Sequence, residues 1–292
     1  MDRPSTKQLS DEPRGHHEQM PVQTVIEARS GWRLIDWREL VRYKDLLTFL
    51  VLRDVRVIYK QTVLGIGWAI IRPLFSMIVF SVVFGKMAKV PSDGIPYPIF
   101  SYAALVPWTY FATAMTASTE SLVKDRRMIT KVYFPRLVVP LAPVLAKLMD
   151  FAIAFLLLIA LMLGYGYAPT WKILFLPILV VMMVATATGA GLWLSALAIQ
   201  YRDVKYVAQF LVQLLMYAAP VVWPASLVPD QYRLLYGLYP MAGVIEGMRA
   251  SLLGTGAMPW ELIGMGAIST TVIVISGAFY FRRVERVFAD VA

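Results

Sequence analysis

Few side chains in this sequence have the type and spacing to do chemistry, and those few suit anion contact better than bond-making. Arg72 stands in an apolar run, directly before Pro73. A guanidinium is a two-pronged donor matched to phosphate oxygens, so Arg72 can meet the phosphate of an anionic lipid. It can equally snorkel its charge to a membrane surface from a buried stem. Lys147 and Asp150 are three residues apart, and so are Glu246 and Arg249. On a helix that spacing makes neighbours, which neutralise each other or reach a third group. The sequence has no GxxxxGK motif followed by Ser or Thr, and so no phosphate-cradling loop for ATP. HExxH and GxSxG motifs are also absent, and cysteine is missing altogether, which removes thiolate metal sites and disulfides. His16 and His17 lie in a polar leader and read as solvated residues, not ligands.

The elements that must position these groups are long and apolar. Of 292 residues, 58% are hydrophobic and only 16% charged, against about 25% charged in ordinary globular domains. Residues 173–199 and 262–281 carry no charge at all. About 20 apolar residues at 1.5 Å rise cross a hydrocarbon core. The expected fold class is an all-α membrane protein with six transmembrane helices, near 66–85, 99–119, 137–164, 173–199, 206–223 and 262–281. The second is the weakest, with Ser101, Thr109, Thr113, Thr116, Ser118, Thr119 and Pro107 in it. Such residues fit either a channel-facing helix or one packed among neighbours.

Six crossings put both termini on one side. Of the 28 Lys and Arg residues, 21 fall on the terminus side and five on the other, Arg72 and Lys147 lying within spans. The excess predicts cytoplasmic termini. Residues 1–36 are expected to be a disordered cytoplasmic leader without a signal peptide, and 286–292 a short cytoplasmic tail.

Residues 37–60 predict an interfacial helix. Leu40, Leu47, Val51, Val55 and Ile58 can share one face, while Arg53, Arg56 and Lys60 recur on another. That pattern serves as a docking surface for a cytoplasmic partner or as a membrane anchor alone. Between the last two spans, Asp230 can cap a helix to Leu238, and Pro240 can open a second one ending before Gly254. Each is too short to cross, which predicts a re-entrant pair near the outer surface. Glu246 and Arg249 would pair there at modest cost in polar surroundings. Aromatic residues gather near the outer ends, among them Tyr102, Trp108, Tyr217 and Trp223. They serve as interface anchors or as flat surfaces for sugar rings.

Four blocks, in order and on the expected sides, resemble the permeases of polysaccharide-export ABC transporters. The first runs from Arg53 to Gly65 and on through Gly67-Trp68-Ala69-Ile70-Ile71-Arg72-Pro73-Leu74. The second is Phe134-Pro135-Arg136-Leu137-Val138-Val139-Pro140-Leu141. The third is Tyr201-Arg202-Asp203-Val204-Lys205-Tyr206, followed by Ala219-Pro220-Val221-Val222-Trp223-Pro224. The fourth spans Tyr239 to Arg249, with Tyr239 where such permeases often have Asn. The likeness covers roughly residues 35–285.

The resemblance implies a transport subunit, not an enzyme. It implies residues 37–285 as one ABC transporter transmembrane domain, pairing as a homodimer and binding two copies of a separate ABC ATPase. No cofactor is expected in this chain; ATP and Mg would sit on the partner. The cargo would be a glycan on an undecaprenyl-type lipid, of O-antigen, capsule or teichoic-acid type, moved across a bacterial inner membrane. Membrane lipids are the other partners expected, and nucleic acid is not. On that reading Arg72, Tyr102, Trp108, Tyr217 and Trp223 are candidates for the substrate path. Arg53, Arg56, Lys124, Asp125, Arg126, Arg127, Arg202 and Asp203 are candidates for coupling to the ATPase. Asp230, Pro240, Glu246 and Arg249 are candidates for an outer gate. The alternatives are an ABC permease for a drug or smaller lipid, a passive channel, and a membrane-embedded glycosyl- or phosphotransferase.

Overall fold

The computed structural model describes residues 41–60, 67–131, 134–168, 170–254 and 256–285. The expected leader 1–36, the tail 286–292 and Leu40 lie outside the described residues, as do Gln61–Ile66 of the first resemblance block. Among the described residues the chain is helical throughout, without strands. The helices are α1 (Lys44–Lys60), α2 (Gly67–Phe80, continued by a π-helical turn Ser81–Met87), α3 (Tyr97–Lys124) and α4 (Arg126–Ile129). Then come α5 (Val138–Gly164), α6 (Leu176–Gln200), α7 (Val204–Ala218), α8 (Asp230–Gly237), α9 (Pro240–Leu253) and α10 (Trp260–Glu285).

Four of these are long and apolar enough to cross a bilayer: Gly67–Met87, Val138–Gly164, Trp171–Gln200 and Trp260–Glu285. They match the first, third, fourth and sixth expected spans. The remaining two differ for separate physical reasons. Helix α3 has 28 residues, about 42 Å at 1.5 Å rise, so its length suffices. It lies at the centre of the bundle, packed by α2, α5, α6, α7 and α9, and 20 of its residues are buried. A helix walled in by protein has no need to be lipid-soluble, which accounts for its Ser and Thr content. Those hydroxyls donate to backbone carbonyls: Thr113 to Thr109, Thr116 to Ala112, Thr119 to Met115, and Ser118 across to Pro140 of α5. The sequence left a channel-facing or a packed role open, and the structure favours the packed one.

Helix α7 stops at Ala218, short of the expected 223. Its 15 residues reach about 22 Å, less than a hydrocarbon core. Pro220 has no N–H to continue the ladder and disfavours helical geometry in the residue before it; Ala219 is accordingly extended. What replaces the missing turns is the expected re-entrant pair, α8 and α9. Pro240 sits at the first turn of α9, and an added Cβ at Gly266 would lie 3.2 Å from the Pro240 Cα. Gly266 is six residues into α10, so the α8–α9 turn lies about 9 Å below the start of that helix. Helix α9 ends at Gly254, in the left-handed conformation at φ 70°, which glycine adopts without strain.

The interfacial helix differs from its expected pose. Its face is turned partly to protein: Leu50 is 1% exposed and packs on Val138 and Ala142 of α5, with Leu46, Leu47 and Val51 beside it. Phe49, Leu52 and Val57 are the apolar side chains that it leaves uncovered.

Candidate functional site

Two polar constellations stand at opposite ends of the bundle. The basic end carries the α3–α4 junction, the turn at Tyr201–Asp203 and the close of α10; Arg136 joins it together by donating to the Glu285 carbonyl, 2.9 Å. Here Arg53 of α1 meets Asp125, seventy-two residues on. Its Nη1 donates to Asp125 Oδ1 at 3.1 Å and its Nη2 to Oδ2 at 2.7 Å. Nε and Nη2 also donate to Asp54 Oδ1, at 3.0 and 2.9 Å. Burial alone would lower the Arg53 guanidinium; the hydrogen bonds and charges of Asp125 and Asp54 outweigh it, and the net shift is upward. Asp125 opens the α4 turn, its carbonyl accepting from the Met128 and Ile129 amides. Met128 in turn packs beside Leu50. The interfacial helix and the first loop are thus held by an ionic and an apolar contact side by side.

The sequence named Arg53 and Asp125 as separate candidates, and the structure brings them together. Asp54, the third member, was passed over; its adjacency to an arginine was the available signal. Arg56, Lys124, Arg126 and Arg127 stand exposed around this junction. Arg202 and Asp203 are exposed in the α6–α7 turn, where the Asp203 carbonyl starts α7 by accepting from Tyr206 and Val207 amides.

The far end is organised around Arg249. It is 1% exposed, which corrects the expectation of polar, screening surroundings for its pair with Glu246. Nη1 donates to Glu246 Oε1 at 3.0 Å, Nη2 to the Val221 carbonyl at 3.0 Å and Nε to the Phe100 carbonyl at 3.2 Å. The guanidinium carbon lies 3.6 Å from the Phe100 ring centroid, a cation–π contact. Glu246 Oε1 also accepts from the Ala225 amide, 2.9 Å. Unwinding α7 after Ala218 frees backbone groups inside the protein, and each freed group needs a partner. Arg249 and Glu246 supply two. Tyr97 donates to the Val222 carbonyl, 2.7 Å, while Tyr236 and Tyr239 donate to the α7 carbonyls of Ala218 and Leu215 at 2.9 and 3.1 Å. Tyr97, Phe100 and the roles of Tyr236 and Tyr239 were not legible in the sequence, because nothing local marks where a helix will break and which phenol will cap it.

This arrangement also corrects the expected gate. Asp230 is the first residue of α8, not its cap: the cap position is Pro229 and makes no side-chain bond. Helix α9 has 13 of its 14 residues buried. At Gly243 a Cβ would fall 2.6 Å from the Leu262 carbonyl, and at Gly247 2.8 Å from Leu179. Such a helix is a packed core element. In α8, by contrast, Gly237 is the buried residue, and Tyr232, Leu234 and Leu235 are exposed.

The aromatic candidates divide in the same way. Tyr102 and Trp108 are core side chains, 0% and 3% exposed; the Tyr102 hydroxyl donates to the Ala154 carbonyl of α5 at 3.3 Å. Neither presents a ring to a passing chain in this conformation. Tyr217 is 77% exposed on α7, in line with exposed Tyr206, Phe210 and Leu214. Trp223 packs on Tyr236, with ring centroids 5.6 Å apart. Between α7 and α8 opens a shallow apolar cavity of about 380 Å³, lined by Ala218, Val228, Tyr232, Leu235, Tyr236 and Tyr239. Arg72 is exposed on α2, its guanidinium 5.5 Å from the Trp68 ring centroid. Lys147 and Asp150 form the predicted pair at 2.9 Å. Among the described residues no cluster of three or more His, Cys, Asp or Glu could hold a metal ion.

Comparison with known proteins follows the same geometry. The chain is 29% identical over 253 residues to the O-antigen export system permease protein RfbA of Myxococcus xanthus, covering 85% of this chain and 96% of that protein. It is 28% identical over 248 residues to the permease of the same name from Klebsiella pneumoniae, covering 85% and 95%. A second Klebsiella pneumoniae permease of that name is 25% identical over 251 residues. The family model described as ABC-2 type transporter matches residues 45–253, from the interfacial helix to the end of α9; the chain belongs to the ABC-2 type transporter family.

Proposed function

We propose that this chain is the membrane-spanning subunit of an ATP-driven exporter that moves a lipid-linked polysaccharide across a bacterial inner membrane. The carrying observation is the likeness to permeases named for O-antigen export along 95–96% of their length. A match that long includes the interfacial helix, the spans and the re-entrant pair, not just a shared hydrophobic pattern. The basic end faces the cytoplasm in this reading, in keeping with the excess of Lys and Arg there. ATP is hydrolysed by a separate ABC ATPase, as the lack of a phosphate-cradling loop requires. Two copies of the chain, with two ATPases, make the working unit. A single copy leaves Phe75, Ile78 and Val82 of α2 and Phe210, Leu214 and Tyr217 of α7 uncovered, faces that a second copy, lipid and cargo would share. In the bilayer α3 and α7 complete six crossings, α3 shielded by protein and α7 extended by the 219–228 segment.

In this mechanism the chain does no covalent chemistry. Arg72 meets the phosphate of the lipid carrier at the cytoplasmic leaflet. Tyr217 and Trp223 offer flat surfaces along the path, tolerant of register because a ring face binds without fixed hydrogen bonds. ATP binding moves the permease only through contacts that differ between its states, and the α1–α4 junction and the Tyr201–Asp203 turn offer such contacts. The test uses inverted membrane vesicles from bacteria that make a labelled lipid-linked O antigen and express this chain with its ATPase. Glycan should accumulate in the lumen with ATP and not with a non-hydrolysable analogue. Accumulation without ATP would identify a passive channel, and hydrolysis without any glycan movement would remove the cargo assignment.

A further inference from the structure

We infer that Arg53 is a positioning residue that fixes the first cytoplasmic loop against the interfacial helix, and that it is not itself a contact for the ATPase. The inference rests on the proposed exporter function and assigns a role within its coupling step. Three observations carry it. The guanidinium has five N–H donors, and four hydrogen bonds from it are already directed at Asp54 and Asp125. Both carboxylates are largely buried, with side chains 13% and 15% exposed. An arginine committed on two edges in that way has little left to offer a partner. The acceptor on the second edge is Asp125, the residue whose carbonyl starts the α4 turn. Holding its carboxylate at two points sets the direction in which that turn leaves the bundle.

The apolar contact beside it makes the junction a unit. Met128 of α4 packs against the cluster of Leu50, Val138 and Ala142, together with Leu46, Leu47 and Val51. Helix α1 is therefore joined to α4 by the ion pair and to α5 by leucine packing, so a push on the loop is delivered to α1 and α5 together. The groups left to touch a partner are the exposed cations around the junction: Arg56 on α1, Lys124 at the end of α3 and Arg127 on α4. A surface of that sign is complementary to an acidic cleft. Three arginines that look alike in sequence thereby separate into one that builds the junction and two that face outward.

The role predicts coupling, not assembly, as the property that fails. Arg53→Gln and Asp125→Asn should each leave the chain inserted and bound to its ATPase. In the vesicle assay each should cut glycan exported per ATP hydrolysed about tenfold, with hydrolysis changed less than about twofold. The double variant should be no worse than either single one, since both remove the same contact. Arg53→Lys keeps the charge but loses the two-point fork, and should fall between wild type and Arg53→Gln. The exchange of partners, Arg53→Asp with Asp125→Arg, should recover part of the lost coupling. Amide hydrogen exchange on the purified chain reads the same device without transport: Arg127–Thr130 should exchange faster in Arg53→Gln, while α9 stays unchanged. Unchanged exchange in that segment overturns the inference whether or not the chain exports glycan. So does loss of ATPase binding on Arg53→Gln, which would make Arg53 a docking contact after all. Failure of wild-type vesicles to move glycan would count against the exporter reading alone, since the exchange experiment stands apart from it.

Discussion

The two ends of the bundle each rest on an arginine paired with a carboxylate, but the two arginines work under opposite conditions. At the basic end Arg53 is 29% exposed and spans two elements far apart in sequence. Water can replace much of what this pair loses on parting, so the bond is weak enough to be remade in a moving part. At the far end Arg249 is sealed in, and its three donors meet Glu246 and two backbone carbonyls within a few residues of a broken helix. Nothing inside can replace those partners. The same residue type thus makes an adjustable joint where solvent reaches and a fixed staple where it does not. The environment decides which, more than the ion pair does.

The sharpest way to break this comparison is to remove the staple. Arg249→Met keeps the bulk of the side chain but strands the Glu246 carboxylate and the Val221 and Phe100 carbonyls. Breaking a buried pair by losing one partner costs roughly 3–5 kcal/mol. The variant should show a lower melting temperature in detergent and a much lower yield in membranes. Arg249→Lys should rescue little, because one ammonium cannot span acceptors on three elements. A wild-type melting curve for Arg249→Met would mean that the far end is no more fixed than the near one.

A second test asks whether the far end is rigid in its packing as well as in its charges. Gly243→Ala would press a methyl group on the Leu262 backbone carbonyl, 2.6 Å away. Backbone cannot turn aside, and such overpacking costs typically about 1–3 kcal/mol. Gly264→Ala, where an added Cβ meets nothing within 4 Å, is the matched control; there alanine's better helix propensity should leave stability equal or slightly higher. Thermal unfolding of the two variants side by side separates the outcomes. Equal melting temperatures would show α9 to be loose enough to serve as the moving part of a gate.

How far the sequence foretold these differences depends on the range of each signal. Lys147 and Asp150 were legible as a pair because helical spacing alone brings them together. The re-entrant pair was legible from Pro240, Gly254 and its short length. Glu246 and Arg249 were legible as a pair but not as buried, because burial is set by α3, α6 and α10 closing round α9. Arg53 and Asp125 were each singled out for charge, yet no local pattern joins residues seventy-two apart. Tyr102 and Trp108 were misread since an aromatic residue in a weakly hydrophobic helix suits a path as well as a core. The polar character of α3 was visible; that it reflects shelter by neighbouring helices, and not an aqueous lining, took the packing to decide.

A smaller effect sharpens the line between staple and moving part. Tyr236 and Tyr239 cap the last carbonyls of α7 from the α8 side. Tyr236→Phe and Tyr239→Phe remove one hydrogen bond each and keep the rings, so each should cost about 0.5–1.5 kcal/mol. Because α8 has little buried surface of its own, the loss should appear locally, as faster amide exchange in Tyr232–Gly237 with α9 still protected. Exchange that rises equally in α8 and α9 would join the two helices into one unit and remove the distinction.

The smallest effect on stability belongs to Arg56, and there the comparison with Arg53 is most exacting. The two stand one turn apart on α1, and the sequence gives them the same weight as coupling candidates. Arg56 is exposed, so its charge is screened by water and salt, and Arg56→Glu should leave the melting temperature of the chain unchanged. Its consequence should lie in association. A reversed charge on a surface that meets an acidic cleft slows encounter and raises the dependence on salt. Binding of the ATPase to the permease, measured by surface capture between about 50 and 300 mM salt, should weaken for Arg56→Glu and lose its salt sensitivity in part. Arg53→Gln should bind as wild type at every salt concentration. If both variants weaken binding alike, the basic end is a single contact surface, and the division between a residue that builds the junction and one that presents it fails.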